Sequence, residues 1–297
     1  MTYPPYVLIT PAKNEEACME QTIGSVLGQT VLPRAWVIVS DGSVDRTEAI
    51  VEKYARKYSF VQLVCTGKRG HKDFGSKVHA FRAGYRQVAD IPAEFLGNLD
   101  ADVTFEPDYF EQILRRFHKM PRLGIGGGII WERVGTRFIP QHTSLTSVAG
   151  AVQFFRRSCY ESFGGYIPIK GGGIDAAAEI MARMHGWTVQ TFPDLPVCHH
   201  RRVSTGRATV LGSRFHQGVT NYLLGYHPLF QILNCAYRVV ERPYLIGSAL
   251  NLLGYASSAI RRLERPMQED VVRFLRSEQV ARITPSGWFR TRITRSA

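Results

Sequence analysis

The chain has 297 residues, 44% hydrophobic and 21% charged, a composition that supplies a full apolar core and excludes a disordered or collagen-like chain. Its formal net charge is +12, but residues 199–297 hold fifteen arginines, no lysine and only five acids, so the basicity belongs to the C-terminal third. The scattered Cys18, Cys65, Cys159, Cys198 and Cys235 form no C-x-x-C pair, which argues against a zinc site or a disulfide framework and fits a reducing cytosol.

From the N-terminus, two prolines lead straight into an apolar run, without the basic and apolar regions of a secretory signal. Tyr6 to Thr10 reads as a strand, and Met19, Ile23, Val26 and Leu27 share one helix face. Ala35 to Ser40 is the second strand. The D-G-S-V-D turn follows, with Asp45 and Glu48 at capping-box spacing and Ile50, Val51, Tyr54 and Ala55 as the inner stripe of a second helix. Phe60 to Thr66 is a third strand. After a Gly- and Lys-rich loop come a helix over Ser76 to Ala89, a strand from Phe95 that ends in Asp100, and a helix over Pro107 to His118. Its inward residues are Phe110, Ile113, Leu114 and Phe117. Strands and helices in alternation predict a mostly parallel sheet covered on both faces. Ligands of such sheets bind at the strands' carboxyl ends, where Pro11 to Glu15, Asp41 to Ser43 and Asp100 to Asp102 would converge.

The chain changes character after Leu123. Gly124 to Ile130 and Gly150 to Phe155 look like strands, and Trp131 to Ser147 between them, polar and without a clean period, reads as a mobile active-site loop or an acceptor-facing excursion. The glycines at 124, 126, 127 and 128 do not form a dinucleotide-binding G-x-G-x-x-G, since Ile129 interrupts it and no βα turn follows; no P-loop occurs either. Val189 to Val197 is the next strand, followed by His199 and His200.

Asn98 to Val103, N-L-D-A-D-V, carries the sharpest chemical signal. In an extended backbone Asp100 and Asp102 point to one side, offering hard oxygen ligands to Mg²⁺ or Mn²⁺ with positions left open for phosphate and water. The competing reading is a solvated turn with Asp100 as a cap. In the tail, Pro243 to Ile260 has no charged residue and is flanked by Arg238, Arg242, Arg261, Arg262 and Arg265. Its polar and small residues make it a poor membrane span. Two readings stand, an interfacial helix against an anionic leaflet and a helix buried beneath the rest of the protein.

L-I-T-P-A-K-N-E-E at Leu8 to Glu16, V-I-V-S-D-G-S-V-D-R-T at Val37 to Thr47, N-L-D-A-D at Asn98 to Asp102, and F-G-G-Y, G-G-G-I-D and H-G-W between Phe163 and Trp187 together resemble family 2 glycosyltransferases of the GT-A fold. The resemblance covers roughly residues 5–200. It implies an α/β domain with a Rossmann-like nucleotide-binding half over residues 1–203, and leaves 204–297 as a helical, arginine-rich, membrane-associating extension. By the same resemblance Thr10, Pro11, Glu15 and Asp41 hold the nucleoside and Lys77 meets the diphosphate. Asp100 lies near the ribose and joins Asp102 in binding a divalent metal. Asp175 becomes the catalytic base of an inverting displacement. Lys68, Arg69, His71 and Lys72 read as solvated loop charges. A third metal ligand at His199 or His200 competes with a phosphate contact or a surface role, given Arg201 and Arg202 beside them.

There are departures from the family pattern. Ile174 stands before Asp175 where many members have Glu-Asp, which keeps Glu179, one helical turn on, as a fallback acid. The Q-x-x-R-W motif of processive synthases is absent, Arg214 to Gly218 offering no match, so transfer of a single sugar is expected. The expected donor is a nucleotide sugar, UDP first and GDP second. The expected acceptor is a lipid-linked or oligosaccharide precursor of surface polysaccharide, met at the cytoplasmic face of the inner membrane through peripheral contact with anionic lipid. Two other classes compete, a metal-dependent nucleotidyltransferase and a non-catalytic basic protein that binds membrane or nucleic acid. The tail's arginines lack an RNA motif and interleaved aromatics, so no nucleic-acid partner is expected.

Overall fold

Seven consecutive residues, Tyr6–Ala12, form β1, and six of them are buried, as expected of a strand with parallel neighbours and helices on both faces. The computed structural model describes residues 3–67, 74–141, 144–169, 171–201, 210–240 and 243–283. Lys68, Arg69, His71, Lys72, Arg202 and Arg242 lie outside these. The chain divides into two compact units, Met1–Lys170 with Ile174–Val203, and Gly171–Gly173 with Ser204–Ala297.

In the first unit, β2 (Ala35–Ser40) and β4 (Phe95–Asn98) pair in parallel with the two edges of β1, and β3 (Val61–Cys65) adds to β2. The intervening helices are α1 (Met19–Leu27), α2 (Thr47–Ala55) and α3 (Phe74–Val88). Gly84 lets α3 lie directly on the sheet: a Cβ there would stand 2.6 Å from Ile9 and 2.9 Å from Val39. The expected capping box at α2 is not formed. Asp45 accepts hydrogen bonds from the amides of Thr47 and Glu16, while Glu48 turns away to accept one from Ser40 Oγ.

The second half of this sheet mixes directions. Past β4 the order runs β8 (Phe154–Arg156), β6 (Leu123–Val134), β9 (Thr188–His199) and β5 (Val103–Phe105), with β7 (Arg137–Pro140) on β6. Of these pairs β6–β9 is parallel and the others antiparallel. The helices are α4 (Tyr109–Lys119), α5 (Arg157–Ser162) and α6 (Ile174–Met184). Phe110, Ile113, Leu114 and Phe117 of α4 are buried as the periodicity predicts. Glycines crowd β6 because its neighbours leave no room; a Cβ on Gly128 would lie 2.1 Å from the Leu195 carbonyl oxygen.

Three expectations change. Trp131–Ser147 is not simply a long loop: residues 131–140 form the β6–β7 hairpin, which turns at Gly135 with φ +63°. The strand expected over Gly150–Phe155 shrinks to β8, because residues 149–153 curl into a turn and spend their carbonyls on Asn98 and Asp100. Asp100 and Asp102 occupy a turn between β4 and β5 rather than an extended strand end.

The second unit holds α7 (Val210–Leu223), α8 (Pro228–Tyr237), α9 (Ile246–Ile260) and α10 (Glu269–Ile283). α7 and α9 meet at glycines. A Cβ on Gly218 would lie 1.8 Å from Asn251 O, and one on Gly254 2.1 Å from Phe215 O, so the backbones touch. The polar residues that interrupt the apolar stretch of α9 face inward. Asn221 donates to Gln231 at 2.9 Å and Gln231 to Asn251 at 2.7 Å, all three buried. No helix among the described residues is long and apolar enough to cross a membrane.

Candidate active site

Parallel β1, β2 and β4 end side by side, which carries Lys13 to Glu15, Asp41 and the Asp100–Asp102 turn to one edge of the sheet. Asp102 is nearly buried. One oxygen lies 3.1 Å from His199 Nε2 and the other 3.9 Å from Arg201 Nε. Burial pushes the Asp102 carboxyl up, but the His199 hydrogen bond and charge, with Arg201 and Lys77, outweigh it and hold the group below the usual carboxylate range. His199 shows the converse: burial lowers its pKa, and Asp102 more than reverses this.

Asp100, Asp102 and His199 each offer a ligand atom, all within 4.8 Å of one another. The antiparallel pairing of β5 with β9 sets Val103 opposite His199 and delivers the histidine. The donor set of two carboxylates and an imidazole suits a divalent cation. His199 Nδ1 and Asn98 Oδ1 are also buried polar atoms without a hydrogen-bond partner, leaving coordinating capacity unspent. The neighbouring His200 goes elsewhere, its Nε2 2.8 Å from Thr104 Oγ1.

Lys77, on α3, stands 2.5 Å from Asp100 and 3.5 Å from the Gly150 carbonyl oxygen. Burial depresses its pKa, and the charge of Asp100 overrides that, so the side chain is a firm cation. Asn98 Nδ2 donates to the same Gly150 carbonyl at 2.5 Å. On the far side of Gly150 lies Asp175, in the first turn of α6; a Cβ on Gly150 would come within 3.0 Å of Asp175 Oδ2. The glycine is therefore a thin partition between the Asp100–Lys77 pair and Asp175.

Glu179, the fallback acid, is buried beneath this layer. Its Oε1 accepts from Val148 N at 2.7 Å and from Ser147 Oγ at 3.1 Å, and burial pushes its carboxyl up to about 7. It props the 147–150 turn rather than facing a cleft. Gln153 joins the layers, donating to the Asp175 carbonyl and accepting from Tyr166 Oη at 2.6 Å.

The sequence profile of glycosyl transferase family 2 matches residues 7–172. The chain belongs to glycosyl transferase family 2. Among curated relatives, the poly-beta-1,6-N-acetyl-D-glucosamine synthase of Staphylococcus epidermidis is 28% identical over 111 residues, 37% of this chain and 25% of that protein. The beta-monoglucosyldiacylglycerol synthase of Synechocystis is 25% identical over 199 residues, 65% of this chain and 39% of that protein. These matched segments are thus well under half of either relative. Among solved structures, a mannosyltransferase from Pyrobaculum calidifontis in complex with GDP-Man and Mn²⁺ superposes with a TM-score of 0.60 at 16% identity, covering 99% of this chain and 85% of that one. That likeness establishes the GT-A fold.

Against this family frame the expected residues fall into three groups. Asp100, Asp102 and His199 share one cluster, Asp100 is paired with Lys77, and Lys77 and Asp175 both approach Gly150. Glu15 joins through Arg201, whose guanidinium forks onto both its carboxylate oxygens at 3.1 and 2.5 Å. Asp41 lies at the end of β2, 3.7 Å from Lys13 and accepting from Thr66 Oγ1 at 3.3 Å. Thr10 does not belong: it is fully buried and its hydroxyl accepts from Trp36 Nε1 at 2.9 Å, so its side chain serves the core. Pro11 is half-buried on β1. Sequence reasoning missed Arg201, Gln153 and Gly150. Only Arg201 left a trace, as a basic residue just after a strand.

Proposed function

We propose that this family 2 chain moves one sugar from a nucleoside-diphosphate sugar to an acceptor hydroxyl, with inversion at the anomeric carbon. The observation that carries this is the Asp100–Asp102–His199 cluster and Lys77 on one side of Gly150 with Asp175 on the other. Residues 1–203 do the chemistry. Asp41 and the 11–15 segment hold the nucleoside, and UDP is the first nucleotide to test, with GDP second.

A divalent ion, Mg²⁺ or Mn²⁺, held by Asp102, Asp100 and His199 would neutralise charge on the departing diphosphate. The Lys77 cation supplies a second positive group there. Arg201 holds the Glu15 carboxylate in place through its two-pronged contact. Asp175 accepts the proton of the acceptor hydroxyl as its oxygen bonds to the anomeric carbon. The bond from that carbon to the diphosphate oxygen breaks, and its electron pair leaves with the nucleotide. Glu179 is a poorer base, since its oxygen already accepts hydrogen bonds inside the fold.

The acceptor in this reading is a lipid-linked or oligosaccharide precursor, met at the cytoplasmic face of an anionic membrane through residues 204–297. The name of the diacylglycerol glycolipid synthase among the relatives supports it. The test is transfer and release of nucleoside diphosphate from UDP- and GDP-sugars with Mn²⁺ or with chelator. Asp175→Asn is expected to bind the donor and lose transfer; normal turnover in that variant, or a sugar nucleotide as product, would overturn the assignment.

A further inference from the structure

Two helices of the second unit, α8 and α9, expose aliphatic residues and bury polar ones. Gln231 and Asn251 are buried and bonded to each other, as is Ser258 to the Gly254 carbonyl, whereas the aliphatic residues of the same helices are outermost. Leu229, Ile232 and Leu233 of α8 stand at i, i+3 and i+4, and Ile246, Leu253 and Ile260 of α9 at i, i+7 and i+14, so each set lies on one face. These six side chains are between 44% and 83% exposed. In water such a face is a standing cost, because every apolar area left wet forgoes the gain of burial. In lipid it is the favourable side, and polar groups turn inward to satisfy each other.

Charge selects the occupant. Between His199 and Ile260 the sequence has six arginines and one acid, Glu241, and α9 runs directly into Arg261 and Arg262, both exposed. A second copy of the chain would bring the same arginines against each other, whereas an anionic headgroup layer complements them. Each helix is also too short to span: the 15 residues of α9 reach only about 22 Å against a hydrocarbon core of about 30 Å.

We propose that the outward aliphatic faces of α8 and α9, edged by Arg261 and Arg262, dock flat into the headgroup and upper acyl region of an anionic bilayer. This deepens the membrane-proximal part of the proposed function by identifying the surface. It is independent of which sugar is transferred.

The experiment is co-sedimentation of the full chain with phosphatidylglycerol/phosphatidylcholine vesicles and with phosphatidylcholine alone. The wild type is expected to partition at least about tenfold better onto the anionic vesicles, each arginine contributing about fivefold. Leu253→Glu/Ile260→Glu, at positions already exposed, is expected to lose at least tenfold of that partition with its thermal midpoint kept. Arg261→Ala/Arg262→Ala should lose most of the preference for anionic lipid. Mn²⁺-dependent UDP or GDP binding, measured without vesicles, reports separately on the transferase reading and should be the same in all these variants. Equal partition of the glutamate variant and the wild type would overturn the docking surface. So would a wild type that ignores vesicles but forms a concentration-dependent dimer that the glutamate variant abolishes.

Discussion

Exchanging Glu179 for Gln separates two acids one helical turn apart on α6. Glu179 is only 4% exposed. Burial pushes its carboxyl from 4.5 to about 7; Asp175 adds to the rise, while the Val148 amide, Ser147 and Arg183, 4.0 Å away, oppose it. Tyr166 approaches from the other side through Gln153. An acid with a raised pKa keeps its proton in the folded state after the unfolded chain has released it, so stability falls as pH climbs from about 4.5 through about 7 and levels off above. The full difference is on the order of 3 kcal/mol. Glu179→Gln keeps an oxygen for the Val148 amide and cannot ionise. Thermal unfolding from pH 5 to pH 8 should therefore show the variant gaining on the wild type by roughly 5–10 °C. With Asp175 as the base, transfer should stay within about tenfold of the wild type. A pH-independent gap would refute the buried-acid argument, and loss of transfer beyond about a thousandfold with donor binding intact would move the base to Glu179.

Asp102→Ala is expected to abolish the Mn²⁺ dependence of nucleotide binding in calorimetry, because it deletes the carboxylate shared by His199 and Arg201. Arg201→Ala removes the two-pronged contact to the Glu15 carboxylate; since Arg201 is 38% exposed on its side chain, the loss in denaturant unfolding should be about 1–2 kcal/mol rather than the full cost of a buried pair. Gly218→Ala puts a methyl where Asn251 O stands 1.8 Å away, and should cost about 2–3 kcal/mol by forcing α7 and α9 apart. An unchanged midpoint would mean that this crossing is looser than described.

Much of the first unit was legible in its sequence. The buried runs of β1, β2 and β4 and the 3–4 spacing of α1 and α4 are local patterns, and strand–helix alternation predicts the parallel pairing that brings three strand ends to one edge. Capping and loops were less so. The Asp45–Glu48 spacing is compatible with a box, yet Ser40 competes for Glu48 and wins at 2.6 Å. Trp131–Pro140 is a hairpin whose second strand, Arg137–Pro140, is only four residues long and leaves Ile139 exposed, so no two-residue period marks it. In the tail, the composition of 243–260 left interfacial and buried readings open; the structure packs one face of α9 on α7 and leaves Ile246, Leu253 and Ile260 exposed.

The sequence by itself singled out candidates for the chemistry: the D-A-D segment from its carboxylate spacing, and Lys77 and Asp175 through the family resemblance. Only the tertiary structure decided which of them meet. His199 reaches Asp102 across 97 residues and Arg201 reaches Glu15 across 186, by way of the β5–β9 register. It also turned the Thr10 hydroxyl onto Trp36 and folded Gly150 between Asp100 and Asp175. Periodicity reports the local face of a strand or helix, whereas partners distant in the chain are chosen by sheet order and register, which no local pattern encodes.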